Sequence, residues 1–121
     1  MISLIQITDP HLTENKKTKV KSWLTHSSFE KIIAYIKTNE TPDFIVVSGD
    51  ISNDGSKKSY VAYQQGIERF EKPVFTILGN HDNHKNFHAV FRTKFLSVEK
   101  ITLSESWLIM TIDSTSMNKE S

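Results

Sequence analysis

Polar residues that can bind metal or move a proton follow an apolar run in the middle of the chain. The run covers residues 74–78, and Gly79-Asn80-His81-Asp82 comes directly after it. Asn80 offers an amide oxygen as a ligand, His81 an imidazole that can bind metal or transfer a proton, and Asp82 a carboxylate that can orient a ring. Gly79 permits a sharp turn and a close approach of the backbone. This pattern predicts a chemical site at the end of a strand.

Two earlier apolar runs end in residues of the same kind. Residues 2–8 lead into Asp9 and His11, and residues 44–48 lead into Asp50. When parallel strands are joined by helical crossovers, their carboxyl ends lie at one edge of the sheet, and open α/β sheets bind ligands at that edge. We therefore expect the polar residues of all three runs to converge: Asp9, His11, Asp50, Asn80 and His81.

The segments between the apolar runs have helical patterns. Ser27-Ser28-Phe29-Glu30 matches a capping box, so we expect a first helix to begin there and to end at Thr41-Pro42. Asp54-Gly55 predicts a turn, Ser56 the cap of a second helix, and Pro73 its end. A third helix is expected after the polar residues at 79–82. Helical spacing predicts three buried faces: Phe29, Ile32, Ile33 and Ile36; Tyr60, Tyr63, Ile67 and Phe70; Phe87, Val90, Phe91 and Phe95.

The last part of the chain has the pattern of strands. Ile101 and Leu103 alternate with polar neighbours, residues 104–106 favour a tight turn, and residues 107–112 are typical of a buried strand. There is no internal repeat, low-complexity tract or sign of a second domain. We therefore expect residues 1–121 to belong to a single domain of the α/β class.

Composition excludes several kinds of protein. A chain of 121 residues can bury a modest core, and a formal net charge of +1 gives no reason to predict a nucleic-acid or membrane-surface partner. The sequence has no cysteine, so any metal must be held by nitrogen and oxygen ligands. The start lacks a basic leader, and no apolar run approaches membrane-spanning length. We predict a soluble, cytoplasmic protein.

Three motifs together resemble a known signature. Asp9-Pro10-His11, Gly49-Asp50 and Gly79-Asn80-His81-Asp82 look like the D-x-H, G-D and G-N-H-[DE] motifs of calcineurin-like metallophosphoesterases. Residues 50–56, followed by Ser59-Tyr60, are similar to the corresponding stretch of class III cyclic-nucleotide phosphodiesterases, which include bacterial cyclic AMP phosphodiesterases. The resemblance implies an α/β sandwich with mainly parallel strands and flanking helices. It also implies hydrolysis of phosphoesters, and of phosphodiesters such as cyclic nucleotides in particular.

The resemblance also implies a role for each site residue. Asp9 and His11 would bind one metal ion. Asp50 would bridge this ion to a second one, which Asn80 would bind. His81 would contact the phosphate or protonate the leaving group.

The expected chemistry depends on two divalent metal ions. A hydroxide bridging the ions would attack phosphorus, because metals lower the pKa of bound water. Carboxylate, amide and imidazole ligands together suit manganese, iron or zinc better than calcium. Asp82 would hold the His81 ring from behind in one tautomer.

The family pattern normally continues with further histidines, commonly a lone His and then a G-H-x-H motif. No histidine or cysteine follows His88 in this chain. We therefore expect residues 1–121 to correspond to the amino-terminal half of the domain, with one sheet face left uncovered. An uncovered face predicts instability, self-association or completion by another segment. The alternative function is a truncated, non-catalytic relative that binds metal or phosphate weakly or serves as an interaction module.

Several residues also have purely structural interpretations. Asp82 could be the N-cap of the following helix. His84 and His88 are four residues apart, which is a metal-pair spacing, but a solvated helix face is the preferred interpretation. Trp23 could cover the mouth of the site or pack on the surface. His26 lies beside a helix start and is predicted to have no further role.

Overall fold

Three apolar runs form a parallel sheet. The computed structural model describes residues 1–91, 100–102 and 104–110. The strands are β1 (Leu4–Thr8), β2 (Phe44–Ser48) and β3 (Val74–Ile77), in the spatial order β1-β2-β3. Thr8 lies beside Ser48, and Ser48 beside Ile77, so the three strands end at one edge. The predicted α/β class with parallel strands is confirmed.

Three helices cover one face of this sheet. They are α1 (Thr25–Asn39), α2 (Lys57–Glu68) and α3 (His84–Val90). Their apolar residues share one buried cluster with Ile7, Ile45 and Val47 of the sheet. Each fully buried side chain of this size contributes about 1.5–3 kcal/mol relative to an exposed one. The helices therefore hold the sheet, and the loops at its carboxyl edge, in a fixed arrangement.

The second helix follows its prediction closely. Ser56 is the N-cap, and its side chain accepts a hydrogen bond from the Ser59 N–H at 3.3 Å. Tyr60 and Tyr63 are fully buried. The Tyr63 hydroxyl lies 2.7 Å from the Thr76 hydroxyl, which joins the helix to β3. The predicted inner face of α2 is confirmed.

The first helix begins earlier than predicted. Its N-cap is Leu24, which makes no side-chain capping bond, so the predicted capping box is wrong. The first turn is held instead by Thr25 and His26, which contact the carbonyl groups of His11 and Thr13, and Glu30 binds Arg69 at 2.7 Å. Phe29, Ile33 and Ile36 are buried as expected, whereas Ile32 is 43% exposed, so its predicted place on the buried face is wrong.

The third helix is short and packs through aromatic rings. Its N-cap is Asn83, whose side chain accepts from the Asn86 N–H at 2.9 Å, so Asp82 is not the cap. Phe87 is fully buried, and Val90 and Phe91 pack against the same cluster. Phe95, which is predicted to continue this face, lies outside the described residues.

The opposite face of the sheet is only partly covered. Leu4 is 44% exposed, while Val46, Phe75 and Ile77 are half-buried. The rings of Phe44 and Phe75 meet edge to face at 5.6 Å. Self-association through this face stays a prediction.

A separate antiparallel hairpin follows. Its strands are β4 (Lys100–Thr102) and β5 (Leu108–Met110). Trp107 is 71% exposed and Met110 69%, so the prediction of a buried strand is wrong for these residues. In the part of the chain that is described, the two strands pair with each other alone, and a two-stranded hairpin buries little surface. Leu103 and residues 111–112 lie outside that part. None of the described helices has the length and hydropathy needed to cross a membrane.

Candidate metal centre

The backbone takes an unusual conformation directly after β1 and β2. Asp9, His11 and Asp50 have φ angles of 55°, 48° and 49°. This left-handed region costs about 1–3 kcal/mol for a residue other than glycine and persists where surrounding bonds enforce it. The Asp9 N–H donates to the Gly49 carbonyl at 3.2 Å, and the His11 N–H to the Asp50 carbonyl at 3.0 Å. Backbone bonds between the two loops thus hold these three residues in place.

The side chains of these three residues converge. Asp9, His11 and Asp50 each offer one ligand atom, and these atoms all lie within 4.8 Å of one another. His11 Nε2 is 3.3 Å from Asp9 Oδ1 and 3.8 Å from Asp50 Oδ2. Two carboxylate oxygens and one imidazole nitrogen form a donor set that suits divalent manganese, iron or zinc. The residues present therefore fit a metal ion, as the strand ends predict.

Asp9 is held in its ionised form. The Thr8 hydroxyl donates a hydrogen bond to Asp9 Oδ2 and, more than any other contact, lowers the pKa of Asp9 below its ordinary 3.8. Burial opposes this effect, and His11 and Asp50 add to it. An ionised carboxylate is the form that binds metal. Asp9 therefore needs no deprotonation at neutral pH before it can act as a ligand.

His11 is fixed from its other ring nitrogen. Its Nδ1 lies 3.1 Å from Asn53 Oδ1, and the ring is half-buried. The Thr25 hydroxyl donates to the His11 carbonyl at 2.8 Å. The first turn of α1 and the β2–α2 loop both hold this residue.

The loops after β2 and β3 are joined by reciprocal hydrogen bonds. Asp50 Oδ1 accepts from the His81 N–H at 3.0 Å. In return, Asp82 Oδ2 accepts from the Ile51 N–H at 3.1 Å and, within its own loop, from the Gly79 N–H at 2.8 Å. Each loop thus uses a carboxylate to bind the backbone of the other.

Asp82 has further partners on the β2–α2 side. Its Oδ1 accepts from the Ser52 N–H and the Tyr60 hydroxyl, both at 2.9 Å. Burial, with a smaller contribution from the Asp82 charge, raises the pKa of Tyr60, so the phenol stays protonated and donates. Among the described residues, no hydrogen bond joins the Asp82 carboxylate to the His81 ring, although the resemblance implies that contact. The carboxylate points instead at backbone N–H groups of the neighbouring loop.

Gly79 is required by the closeness of these loops. A Cβ at this position would lie 2.2 Å from Asp50 Oδ1 and 2.4 Å from Asp50 N. Gly49, with φ of 84°, lies on the other side of the same contact, and a Cβ there would be 3.5 Å from the Gly79 Cα. Gly79 therefore permits the close approach of the two loops, whereas Gly49 is favoured by its positive φ.

The remaining predicted site residues lie at the rim. The His81 side chain is exposed, and its ring centroid is 5.2 Å from that of His11, edge to face. Asn80 is exposed in the same turn, and within the described ranges no side-chain hydrogen bond joins it to Asp9, His11 or Asp50. The structure therefore brings the His81 ring beside the three-residue group.

Asp54 braces the loop behind the centre. Burial alone would raise the pKa of this carboxyl, but hydrogen bonds outweigh burial and lower the pKa below its ordinary 3.8. The Glu14 N–H donates to Asp54 at 2.8 Å and the Ser56 N–H at 3.0 Å. Asp54 thus ties the segment after β1 to the start of α2.

His26 has a role that the sequence pattern does not predict. Its ring is buried, with 8% of the residue exposed, and its Nε2 lies 2.8 Å from the Thr13 carbonyl oxygen. It therefore anchors the chain just after His11, and the prediction of no further role is wrong. A buried partner of this kind carries no signal in sequence spacing, because its bond is to backbone.

Two other candidates lie outside the metal centre. His84 and His88 are both exposed, with ring centroids 6.5 Å apart, and neither belongs to the group of potential ligands found in the described residues. Their exposure agrees with the preferred interpretation of a solvated helix face. Trp23 is 71% exposed and forms a backbone bridge with Val20.

Comparison with known proteins agrees with this geometry. The profile of the calcineurin-like phosphoesterase family matches residues 2–114. The chain is 32% identical over 116 residues to the 3',5'-cyclic adenosine monophosphate phosphodiesterase CpdA of Haemophilus influenzae, an alignment that covers 94% of this chain and 42% of the relative. It is 36% identical over 119 residues to a probable cyclic nucleotide phosphodiesterase of Vesicomyosocius okutanii, with 98% of this chain and 48% of the relative covered.

A further relative shows the same coverage. A probable cyclic nucleotide phosphodiesterase of Xenorhabdus bovienii is 30% identical over 118 residues, with 93% of this chain and 48% of the relative covered. The chain spans less than half the length of each of these three relatives. The range of the family match includes all three strand-end motifs. The chain belongs to the calcineurin-like phosphoesterase family.

Proposed function

We propose that this chain carries a metal centre for the hydrolysis of phosphodiesters, with cyclic nucleotides as the substrate class. The observation that carries the proposal is the convergence of Asp9, His11 and Asp50, whose ligand atoms lie within 4.8 Å of one another at the carboxyl edge of the sheet. The names of the relatives, a cyclic AMP phosphodiesterase and probable cyclic nucleotide phosphodiesterases, support the substrate class.

The proposed centre holds two divalent ions of manganese, iron or zinc. Asp9 and His11 would hold one, Asp50 would bridge both, and Asn80 would contribute to the second. When bound, such ions supply an activated water and offset negative charge on the phosphoryl oxygens. The ionised Asp9 and the fixed orientation of Asp50 support these assignments.

The chain's own residues would position the phosphate and handle the proton. The exposed His81 ring, beside His11, can donate a hydrogen bond to a phosphoryl oxygen or a proton to the leaving oxygen. Its backbone N–H is already used to orient Asp50. Asp82 would act indirectly, by holding the loop that carries His81 against the β2–α2 loop.

Hydrolysis of bis-para-nitrophenyl phosphate by the purified chain tests the proposal. Manganese, iron and zinc would each be added to wild type, to Asp50→Asn and to Glu68→Gln, a charge-matched control on the exposed surface of α2. We expect metal-dependent turnover by wild type and Glu68→Gln and its loss in Asp50→Asn. Turnover that survives Asp50→Asn would contradict the bridging role. A folded chain with no metal binding and no turnover would support the non-catalytic alternative.

The predicted partner is therefore a small phosphoester. The cytoplasmic location and the expectation of no nucleic-acid partner stay predictions from composition and charge.

A further inference from the structure

We propose that Asn53 is a positioning residue, which fixes the His11 ring with Nδ1 protonated and Nε2 free to bind metal. This inference rests on the proposed metal centre. Asn53 belongs to none of the three strand-end motifs, and its side-chain oxygen lies 3.1 Å from His11 Nδ1.

The two nitrogens of His11 face different neighbours. Nε2 lies 3.3 Å from Asp9 Oδ1 and 3.8 Å from Asp50 Oδ2, so this nitrogen belongs to the ligand group. A neutral imidazole carries one hydrogen, and the nitrogen without it is the one that can bind a metal ion. With Nε2 as the ligand, the hydrogen lies on Nδ1 and is donated to the Asn53 amide oxygen. We infer this tautomer from the two sets of contacts taken together.

Asn53 is itself rigidly held by the loop that it supports. Its N–H donates to the Leu12 carbonyl at 2.8 Å, and the Leu12 N–H donates to the Ile51 carbonyl at 2.9 Å. Leu12 is fully buried. The amide therefore reaches His11 from a backbone that is already bonded to the residue following His11, so little conformational freedom is lost in forming the contact.

A merely structural Asn53 would behave differently. If the amide only stabilised the loop, its removal would lower stability and leave the tautomer of His11 unchanged. If it positions the ring, its removal changes which nitrogen carries the hydrogen, and a replacement that keeps an acceptor oxygen restores the original tautomer. Asn53→Ala and Asn53→Asp are the matched pair for this distinction, since aspartate retains the acceptor.

The tautomer can be measured directly in the chain without metal. Nitrogen-15 NMR at about pH 8.5, where ordinary histidines are neutral, distinguishes the two ring nitrogens, and the signals that disappear in His11→Gln identify His11. We expect the hydrogen on Nδ1 in wild type and in Asn53→Asp, and a mixture of tautomers in Asn53→Ala. Protonation at Nε2 in wild type would by itself overturn the proposal. An unchanged tautomer in a folded Asn53→Ala would also overturn it.

Metal affinity provides the second readout. Removal of a hydrogen-bond partner behind a histidine ligand weakens metal binding about 10–100-fold. We expect this loss for Mn²⁺ in Asn53→Ala, affinity close to wild type in Asn53→Asp, and no change in Asn39→Ala, which removes an exposed amide bonded within α1. Equal affinity of wild type and Asn53→Ala would overturn the proposal. Failure of wild type to bind Mn²⁺ would instead refute the proposed function, and the NMR result would still decide the role of Asn53.

Discussion

Replacement of Asp82 by asparagine is expected to destabilise the fold, because this carboxylate accepts four hydrogen bonds, three of which join the loop after β3 to other elements. Their donors are the N–H groups of Ile51, Ser52 and Gly79 and the hydroxyl of Tyr60. Only the bond from Gly79 lies within the loop that follows β3. The other three connect that loop to the β2–α2 loop and to α2.

The size of the effect follows from the chemistry of the replacement. A hydrogen bond to an ionised group contributes about 1.5–3 kcal/mol, and a half-buried donor left without a partner costs about 1–3 kcal/mol. In asparagine one oxygen becomes an NH₂ group, so two of the N–H or O–H donors around Asp82 would face another donor. We expect the free energy of unfolding to fall by about 2–4 kcal/mol, less than the sum because the loops can relax.

Urea denaturation followed by circular dichroism measures this change. Tyr60→Phe is the control, since it removes the one side-chain donor to Asp82 and retains the buried ring; it also leaves the Asn83 N–H without its 2.7 Å acceptor. We expect a loss of about 1–3 kcal/mol in Tyr60→Phe. A midpoint for Asp82→Asn equal to wild type, together with reduced turnover, would refute this reasoning and restore the role of Asp82 in orienting His81.

Three further changes test separate parts of the structure. Gly79→Ala is expected to abolish Mn²⁺ binding in calorimetry, because the added Cβ would lie 2.2 Å from Asp50 Oδ1; unchanged affinity would contradict this. Thr25→Val removes the hydroxyl that donates to the His11 carbonyl and should lower the urea-unfolding free energy by about 1 kcal/mol, whereas Thr25→Ser should retain it. The folded-state pKa of Asp54 lies below 3.8, so its contribution to stability is complete above about pH 5 and is lost as the pH falls through the folded pKa. The urea midpoint of wild type should therefore be lower at about pH 3 than at about pH 6, and this difference should be smaller in Asp54→Asn. A difference as large as in wild type would count against the stabilising role of the Asp54 carboxylate.

The strands and their polar ends could be predicted because local pattern determines them. A short apolar run followed by glycine or aspartate is compatible with a buried parallel strand, and parallel topology brings its carboxyl end beside the others. That topology predicts the convergence of Asp9, His11 and Asp50. The inner face of α2 could also be predicted, since Tyr60 and Tyr63 repeat at helical spacing.

The start of α1 could not be predicted in the same way. Its first turn is fixed by contacts with the segment after β1: Thr25 with the His11 carbonyl and His26 with Thr13. The helix therefore begins before the predicted capping box. Glu30 is likewise drawn to Arg69, 39 residues away in sequence. Tertiary contacts of this range have no counterpart in local spacing.

The contacts of the Asp82 carboxylate also could not be predicted from local spacing. Its partners Ile51 and Ser52 lie 31 and 30 residues earlier in the sequence. Adjacency in sequence favours a contact with His81, but the backbone turn directs the carboxylate to the other loop. Asn53 is a second case, because its side chain meets His11 across 42 residues.

Calorimetric titration of Mn²⁺ into the chain is the decisive test of whether Asp9, His11 and Asp50 form a metal centre. Wild type, Asp50→Asn and Glu68→Gln would be compared after far-UV circular dichroism has shown equal folding. We expect binding by wild type and Glu68→Gln and its loss in Asp50→Asn. Equal binding by wild type and Asp50→Asn, or no binding by a folded wild-type chain, would contradict this expectation.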